Sequence, residues 1–546
     1  IVINKRSTDV TMSDLKKKLD KGIAYLKRNG VRKTICRAGR KAVLSREVSY
    51  EAWLKRHVAD EKELERQKKV VAEHPVKVAI WLFPAAGPDS PTLESLMCQS
   101  AGRFPVFTAR ELQQQTEAAG WKQAEYVLLI REGTLLRPEA VYEMTKEAAK
   151  QKRSAVLYTD HDVTGTDGHL KYPFCKPDYD PVWQKQQNYM GSVLLVERTI
   201  AEALEKWLLV QDPNFVLTGT EKFWRALLNQ AVQSAKDVIH LPALLYHVSE
   251  TLETEMAELS PVSQIDGRKR NPLLSVIIPN KDHIEDLRLC VESLLEQGGY
   301  ESLEILIVEN NSEEEATFQG YEEMKKADER IRLLNWSGVF NYSAINNDAA
   351  KKAHGEYLLF LNNDTKIKEP GALRELMNCI QREKAGAAGA RLLYGDLTIQ
   401  HAGVVLGYGG IAGHAFEGMS QTEYENLRYA KVIRQMSAVT AACMLVDRRA
   451  FEQIGGFTEK LGVAYNDIDL CMKLRKAGWT ILYDPTAQMY HYESQTRGFE
   501  MSTEKAERVK REAEYFCQTW KEELHRGDPF YNASLTLEKP DFSLKR

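Results

Sequence analysis

The sequence predicts an α/β protein with two successive, mainly parallel sheets and helical extensions at both ends. Strands alternate with helical stretches from residue 76 onward, and a polar stretch divides this alternation into two blocks. Such alternation is typical of parallel sheets, because each parallel connection crosses the sheet through a helix. A length of 546 residues allows two large domains with additions. The predicted parts are a basic helical region (1–74), a first α/β domain (75–250), a linker (251–271), a second α/β domain (272–500), and a helix with a tail (501–546).

The composition excludes several classes of protein. Hydrophobic residues make up 43% of the chain and charged residues 28%, as in ordinary globular proteins. No apolar run approaches the roughly 20 residues of a membrane-spanning helix, and no long apolar segment near the start predicts a signal peptide. The eight cysteines form no CxxC pair and no zinc-type cluster with histidine. A cytoplasmic protein is therefore expected.

The first 46 residues are strongly basic, with 14 Lys and Arg against three acids. Apolar residues recur there at helical spacing, at Leu15, Leu19, Ile23 and Leu26. A basic amphipathic helix can lie on an anionic membrane, so residues 1–46 are a candidate contact with the inner face of the cell membrane. The alternative is a helix that packs on its own protein and leaves its basic face in water. A second, charged helix is predicted over residues 49–71.

The second block carries polar residues directly after its predicted strands, at residues 274–280, 303–308 and 357–361. In open parallel sheets, ligands bind outside the carboxyl ends of the strands. Pro279, Asn280 and Glu309 are therefore expected side by side at one rim, where the Glu can accept bonds from a base or ribose. The alternative for each residue alone is ordinary turn chemistry.

The third strand is followed by Asn362, Asn363 and Asp364. Hard oxygen ligands suit Mg²⁺ and Mn²⁺, and a diphosphate can supply the remaining ligands. Later in the chain, Asp467 stands at a predicted helix start and His491 follows a predicted strand. Each of these residues, taken alone, is more typical of a structural role.

Six motifs that occur together in a fixed order favour a functional role for these residues over a structural one. The second block resembles a family 2 glycosyltransferase of the GT-A fold over about residues 274–498. The motifs are SVIIPN (275–280), VENNS (308–312), LFLNNDT (359–365), IGGFTE (454–459), YNDIDLC (465–471) and HYES (491–494). The resemblance implies two tandem GT-A-like domains, of which the second carries the intact motifs.

The resemblance also implies a nucleotide-diphosphate-sugar donor, UDP- or dTDP-linked, and one Mn²⁺ or Mg²⁺ ion. The implied donor-binding residues are Pro279, Asn280, Glu309, Asn311, Asn362 and Asn363. Asp364 and His491 take the places of the metal ligands, and Asp467 takes that of the general base in an inverting reaction. Only Asp364 keeps a carboxylate of the family's DxD motif, and Asn466 replaces the first acid of its ED motif.

The acceptor is expected to be a glycan or a polyprenyl-diphosphate-linked glycan of a bacterial cell-surface polysaccharide, and no nucleic-acid partner is expected. His401 and Ser437 belong to stretches that resemble the acceptor side of the family. Asp469 is assigned to the same side, as an orienting or capping group.

The first block resembles a GT-A domain more faintly. If Ile130, Arg131 and Glu132 overlie DxD, a cation stands where the metal belongs, and cations repel each other. The short span between residues 84 and 126 predicts that the nucleoside-binding strand pair is missing. Residues 160–162 (DHD) fit either a metal site or a polar turn. We therefore predict an inactive domain used for acceptor binding, assembly or stability.

Two other functions remain open at this point. One is a bifunctional enzyme in which both blocks are active. The other is an inactive glycan-binding scaffold, which the reduced NND and ND motifs would suit.

Overall fold

The computed structural model describes residues 49–87, 89–114, 118–150, 155–259, 271–422, 425–492 and 503–546. The predicted basic helix within residues 1–46 lies outside the described residues. No helix in these ranges is both long and apolar enough to cross a bilayer.

The helices and strands follow the expected alternation. The helices are α1 (Tyr50–His57), α2 (Glu61–Glu73), α3 (Pro91–Met97), α4 (Ala109–Gln114), α5 (Ala140–Ala148), α6 (Pro181–Gln186), α7 (Arg198–Leu209), α8 (Pro213–Leu217), α9 (Glu221–Ser234), α10 (Glu250–Ala257), α11 (Ile284–Gln297), α12 (Glu315–Ala327), α13 (Tyr342–Lys352), α14 (Ala372–Ile380), α15 (Arg448–Gln453), α16 (Asn466–Lys476), α17 (Thr503–Thr519) and α18 (Lys521–Arg526). The strands are β1 (Val78–Phe83), β2 (Val106–Thr108), β3 (Tyr126–Arg131), β4 (Thr134–Leu136), β5 (Ala155–Thr164), β6 (Leu170–Phe174), β7 (Val193–Glu197), β8 (Asp237–Ser249), β9 (Leu274–Asn280), β10 (Leu303–Glu309), β11 (Ile331–Asn335), β12 (Tyr357–Leu361), β13 (Thr365–Ile367), β14 (Ala385–Leu393), β15 (Ile399–His401), β16 (Val404–Leu406), β17 (Ala412–His414), β18 (Arg434–Gln435), β19 (Cys443–Asp447) and β20 (Thr480–His491).

Two large sheets organise these elements. The first has the order β2-β1-β3-β7-β5-β8-β4, and β6 pairs with β5. The second has the order β11-β10-β9-β12-β19-β14-β20-β13, with β15 on β14 and β18 on β20. Both sheets are mixed rather than mainly parallel, because β7 and β19 enter the middle of their sheets antiparallel to both neighbours.

The two sheets have the same topology. Strands β2, β1, β3, β7, β5, β8 and β4 correspond in order to β10, β9, β12, β19, β14, β20 and β13. Each corresponding pair of neighbours also runs in the same relative direction. The prediction of two tandem α/β domains of one fold, with flanking helices, is therefore confirmed.

The first sheet is more complete than the sequence suggested. We expected its nucleoside-binding strand pair to be missing, but β2 pairs in parallel with β1, as β10 does with β9. Among the described residues, the outer strand β11 and the short strand β18 have no counterpart in the first sheet. The strand was overlooked because it is three residues long and directly follows Pro105.

Two predicted boundaries differ from the structure because of helix caps. The helix expected over 49–71 is two helices, since the side chain of Asp60 accepts a hydrogen bond from the backbone of Glu63 and begins α2. The predicted linker starts with α10, where Ser249 is the N-cap and Leu252 and Met256 are buried. Residues 260–270 of that linker lie outside the described ranges.

The central strands of the second sheet are buried from end to end. Every residue of β10 and β12 is buried, as expected for strands covered by helices on both faces. Their polar residues therefore come only at the strand ends, and this concentrates the candidate chemistry at one rim.

A glycine permits one close approach near that rim. A Cβ added at Gly389 on β14 would lie 2.5 Å from Cβ of buried Val439. We expect Gly389→Ala to destabilise the fold by about 1–3 kcal/mol, since overpacking shifts the neighbouring backbone. Urea denaturation measures the change.

The matched control is Gly395→Ala, where the nearest atom to the added Cβ is a ring carbon of Tyr492 at 3.6 Å. It should stay within about 0.5 kcal/mol of the native protein. Equal unfolding midpoints for the two variants would contradict the steric argument.

Candidate active site

The rim of the second sheet is formed where β9, β10 and β12 end. Asn280 pairs in register with Glu309, and Glu309 pairs with Asn335 on the outer strand. Pro279, partly exposed, pairs with Val308. The sequence expectation that Pro279, Asn280 and Glu309 are neighbours agrees with this register.

Glu309 is buried and held by three hydrogen bonds. One of its oxygens accepts from the backbone N–H of Ser312 at 2.7 Å. The other accepts from the Ser312 hydroxyl at 2.5 Å and from the Tyr321 hydroxyl at 3.0 Å. Burial raises the pKa of Tyr321 to about 12, so its hydroxyl stays protonated as a donor. The carboxylate is thus fixed in one orientation.

The amide groups beside Glu309 connect the strand ends. Asn280 Nδ2 donates to the Tyr321 hydroxyl at 2.7 Å, and Asn363 Nδ2 donates to Asn280 Oδ1 at 2.6 Å. Asn311 has a φ of +57° and donates from Nδ2 to the carbonyl of Gly338 at 3.0 Å. These bonds join the donor-binding candidates on β9 and β10 to the residues after β12.

The candidate metal ligands lie next to each other. Asp364 Oδ1 is 3.2 Å from His491 Nε2, and Asn362 Nδ2 is 3.1 Å from the same nitrogen. The other ring nitrogen, Nδ1, is 2.7 Å from Oε1 of Gln400. A proton on Nδ1 satisfies both amide contacts, because Nδ1 then donates to Gln400 and Nε2 accepts from Asn362.

This pair fits part of a metal shell. Octahedral ligands at about 2.1 Å from Mg²⁺ lie about 3.0 Å apart, close to the 3.2 Å between Asp364 Oδ1 and His491 Nε2. A carboxylate oxygen and an imidazole nitrogen also suit Mn²⁺. Among the described residues, no three His, Cys, Asp or Glu side chains could hold a metal ion by themselves. A bound ion would need further ligands from a substrate.

Asp467 is partly exposed at the first turn of α16. Its Oδ1 accepts from the backbone N–H of Ile468 at 2.8 Å, and its Oδ2 accepts from that of Ala441 at 3.3 Å. The next residue, Ala442, accepts from the backbone N–H of Asn362 at 3.0 Å. Two consecutive residues therefore connect the carboxylate of Asp467 to the metal motif.

A model of glycosyl transferase family 2 matches residues 275–455. This range contains the rim strands β9, β10 and β12 together with the motif that includes Asp364. Residues 275–455 belong to glycosyl transferase family 2.

Relatives match more of the chain than the family 2 segment. An uncharacterized protein of Sinorhizobium fredii is 33% identical over 451 residues, which cover 77% of this chain and 49% of the relative. The O-antigen biosynthesis protein RfbC of Myxococcus xanthus is 32% identical over 506 residues, covering 85% of this chain and 38% of that protein. The chain therefore spans half or less of the length of these two relatives.

A solved structure of GalNAc-T7 with UDP, GalNAc and Mn²⁺ is 14% identical and covers 52% of this chain and 50% of that chain. Its TM-score is 0.39, too low to add to what the sheet topology already shows.

His401, Ser437 and Asp469, which the sequence assigns to the acceptor side, are all buried. His401 accepts from the backbone N–H of Thr440 at 3.4 Å, and burial lowers the pKa of His401 well below its usual range. Ser437 accepts from Arg475 at 2.9 Å. Both side chains are fully buried and hold other protein groups, so any part they have in the acceptor side would be indirect, and that assignment stays a prediction.

Asp469 has a similar position. Its two carboxylate oxygens accept from the Thr458 hydroxyl at 2.6 Å and from the indole N–H of Trp520 at 2.9 Å. Asp469 therefore orients its surroundings, as the sequence suggested, and is too buried to face an acceptor.

Sequence reasoning missed three residues that hold the site. Tyr321 supports Glu309, Gln400 supports His491, and the Tyr342 hydroxyl donates to the carbonyl of Ala441 at 3.0 Å. Gln400 directly precedes His401 in a stretch that the sequence singled out, whereas Tyr321 and Tyr342 lie outside the six motifs.

The shared topology shows what the first sheet has at the corresponding positions. Thr134 pairs with Val248 where Thr365 pairs with His491. Gly133 therefore corresponds to Asp364, and Val248 corresponds to His491. This corrects the expected overlay by one residue, since residues 131–133, and not 130–132, correspond to residues 362–364.

The helix that corresponds to α16 also differs in the first domain. Helix α9 precedes β8 as α16 precedes β20, and its first turn holds Glu221 and Lys222, whereas the first turn of α16 holds Asp467 and Asp469. Arg131, which corresponds to Asn362, forms ion pairs with Glu221 at 2.6 Å and with Glu255. The first domain thus lacks counterparts of both metal-ligand candidates, and Glu221, the carboxylate in the first turn of α9, is paired with Arg131.

Residues 160–162 lie inside β5 and not in a turn. Each is bonded to a different distant partner: Asp160 to His240, His161 to Glu253, and Asp162 to His247. These three separate pairs support a structural role and not a metal site.

Proposed function

We propose that this chain is an inverting glycosyltransferase that transfers a sugar from a UDP- or dTDP-sugar to a glycan or lipid-linked glycan. One observation carries the proposal: the partly exposed Asp467 and the Asp364–His491 pair are joined through the consecutive residues Ala441 and Ala442. This links a proton acceptor and a metal-ligand pair through rigid backbone. The family of residues 275–455 supports the same function.

The donor would bind at the ends of β9, β10 and β12. Glu309, fixed by Ser312 and Tyr321, would accept bonds from the base or ribose. The polar rim residues Pro279, Asn280, Asn311, Asn362 and Asn363 would shape the rest of that pocket. Because Glu309 is already oriented, little side-chain entropy would be lost on binding.

Asp364 and His491 would hold a Mn²⁺ or Mg²⁺ ion together with the donor diphosphate. The bound ion would neutralise the negative charge that develops on the leaving nucleoside diphosphate. Gln400 would keep the His491 ring in the tautomer that a metal needs.

Asp467 would act as the general base. It would accept the proton of the acceptor hydroxyl as that oxygen attacks the anomeric carbon. A single displacement inverts the configuration at that carbon. The backbone N–H groups of Ala441 and Ile468 orient the carboxylate for this step.

The acceptor class comes from the family resemblance and from a relative. The Myxococcus xanthus relative is named as an O-antigen biosynthesis protein, which supports a role in bacterial cell-surface polysaccharide synthesis. A polyprenyl-diphosphate-linked acceptor would be reached at the inner membrane face, where residues 1–46 would hold the enzyme.

A panel of UDP-, dTDP- and GDP-sugars tests the function. Nucleoside diphosphate release and sugar transfer would be measured with Mn²⁺, Mg²⁺ or EDTA, in the presence of lipid-linked and free glycan acceptors. Metal-dependent transfer from a UDP- or dTDP-sugar, with inverted configuration in the product, is the expected result. Glycan binding without turnover of any donor would instead identify a scaffold.

Gln400→Leu is expected to weaken Mn²⁺ binding about 10- to 100-fold, the usual effect of removing an outer-shell partner of a metal-bound histidine. Manganese titration in the presence of UDP, followed by electron paramagnetic resonance, measures the change. The matched control is Gln421→Leu, a partly exposed glutamine that donates to the carbonyl of Leu397. Equal affinities in the two variants would contradict the role of Gln400.

A further inference from the structure

Residues 433–442, here called the bridging segment, connect the domain of the first sheet to the proposed base. At the far end of this segment, Ala441 donates to Asp467 and Ala442 accepts from Asn362. The near end lies against α6, which belongs to the domain of the first sheet. This gives the first domain a physical connection to the chemistry of the second.

Two buried side chains of the first domain hold the near end. Asp180 Oδ2 accepts from the backbone N–H of Gln435 at 2.7 Å. Gln186 accepts from the backbone N–H of Ile433 at 3.1 Å and donates to its carbonyl at 2.5 Å. Both side chains belong to the N-cap or the last turn of α6, so one short helix presents them together.

The surroundings make this contact well defined. The guanidinium of Arg434 lies 4.9 Å from the ring centroid of Trp183 and donates to the carbonyl of Phe530 at 2.6 Å. Burial raises the pKa of Asp180, while the bonds from Gln435 and α6 and the charge of Arg434 oppose that change. Loss of these partners would leave the Asp180 carboxylate buried without hydrogen bonds, which costs free energy. Other positions of the bridging segment against α6 are therefore disfavoured.

The middle of the bridging segment is also held at successive positions. The backbone N–H of Met436 donates to the carbonyl of Ile481 at 2.9 Å. Val404 donates to the carbonyl of Ala438 at 2.8 Å, and Val439 packs tightly against Gly389. These contacts hold the residues between the two ends of the bridging segment. A displacement of the near end is therefore expected to move Ala441 as well.

We propose that the domain of the first sheet positions the base of the second, through the hold of Asp180 and Gln186 on the bridging segment. Asp180 and Gln186 are positioning residues, since they act through Ala441 on Asp467. This inference rests on the proposed function for its catalytic consequence. It gives the first domain a role that needs no substrate of its own.

Asp180→Asn separates this role from helix capping. Oδ1 of Asp180 accepts from the backbone N–H groups of Val182 and Trp183, and asparagine keeps that capping oxygen. The amide nitrogen would replace Oδ2 and face the N–H of Gln435, so the 2.7 Å backbone bond to the bridging segment is lost together with the charge opposite Arg434, while the weaker bond from Gln435 Nε2 to Oδ1 at 3.4 Å remains.

The chain offers a matched control in Asp212→Asn. Asp212 also precedes a proline and caps a helix of the same domain, by accepting from the backbone N–H of Asn214 at 2.8 Å. It is exposed, and its capping bond lies within the first domain.

Two readouts test the proposal. Hydrogen exchange of ligand-free protein should be at least tenfold faster at Ala441 in Asp180→Asn than in Asp212→Asn. The transfer kcat should fall about tenfold, the effect of losing one hydrogen bond to a charged group, while the donor KM and the melting temperature stay near those of the control. Gln186→Met, of similar volume, leaves the α6 cap intact and should give the same pattern.

The outcomes separate the inference from the proposed function. Exchange at Ala441 equal to that of Asp212→Asn would overturn the inference, whatever the activity. Parallel losses of kcat, donor affinity and melting temperature would also overturn it, since they indicate general destabilisation. Faster exchange in a protein that transfers no sugar would keep the mechanical connection and remove the proposed function.

Discussion

Asp467→Asn is expected to lower the rate of sugar transfer by about 10²–10⁴-fold, the usual contribution of a general base. Asparagine preserves the shape of the side chain and an oxygen that can accept from Ala441. It cannot take up the proton of an acceptor hydroxyl. Because the hydrogen bonds of Asp467 go to Ala441 and Ile468 and not to the residues proposed to bind the nucleotide, affinity for the nucleoside diphosphate should stay within about twofold. Initial rates of product formation and calorimetric binding of UDP with Mn²⁺ measure the two effects.

The control for this variant is Lys222→Ala, in the first turn of helix α9 of the first domain. Lys222 is exposed on α9, and its removal should leave transfer unchanged. A rate for Asp467→Asn within tenfold of the native rate would place the base elsewhere. Transfer that survives in Asp467→Asn but is lost in Lys222→Ala would support an active first domain.

Asp364→Asn is expected to weaken Mn²⁺ binding by at least about 100-fold, since removal of outer-shell partners alone costs about 10- to 100-fold. The variant keeps the volume of the side chain but replaces the carboxylate beside His491 with a neutral amide. Transfer should fall in proportion at low Mn²⁺ and recover in part at high Mn²⁺. Manganese titrations with UDP, combined with rates over a range of Mn²⁺ concentrations, test this.

The matched control is Asp396→Asn. Asp396 is exposed in a turn, where it accepts from the backbone and hydroxyl of Thr398. It should not alter Mn²⁺ affinity. Native affinity in Asp364→Asn would mean that the metal, if the reaction uses one, is bound by other groups.

The rim could be predicted from the sequence because short, continuous stretches of sequence form it. Buried strands that end in polar residues identify the edge of a sheet, and the order of six motifs identifies the family. Asn280 and Glu309 pair in register as this reasoning requires. The supporting residues could not be predicted in this way, since Gln400 is 91 residues from His491 and its role depends on tertiary packing.

The first domain was harder to predict for two physical reasons. Strand β2 has only three residues, too few for a clear pattern of hydrophobicity. The triplet after β3 could be aligned with DxD in two ways, and only the pairing of Thr134 with Val248 decides between them. Residues 160–162 look like a polar turn because their buried partners, such as His240, are about 80 residues away.

The shared strand order of the two sheets also has a consequence for how the chain folds as it is synthesised. While the chain is being made, the first half emerges before the second, and each later strand meets an edge that resembles its own partner. Exchange of strands between the halves would give a trapped, misassembled chain. The unequal lengths of β2 and β10, three residues against seven, discriminate between the two edges. The difference between the two halves is therefore expected to make such exchange less frequent during folding.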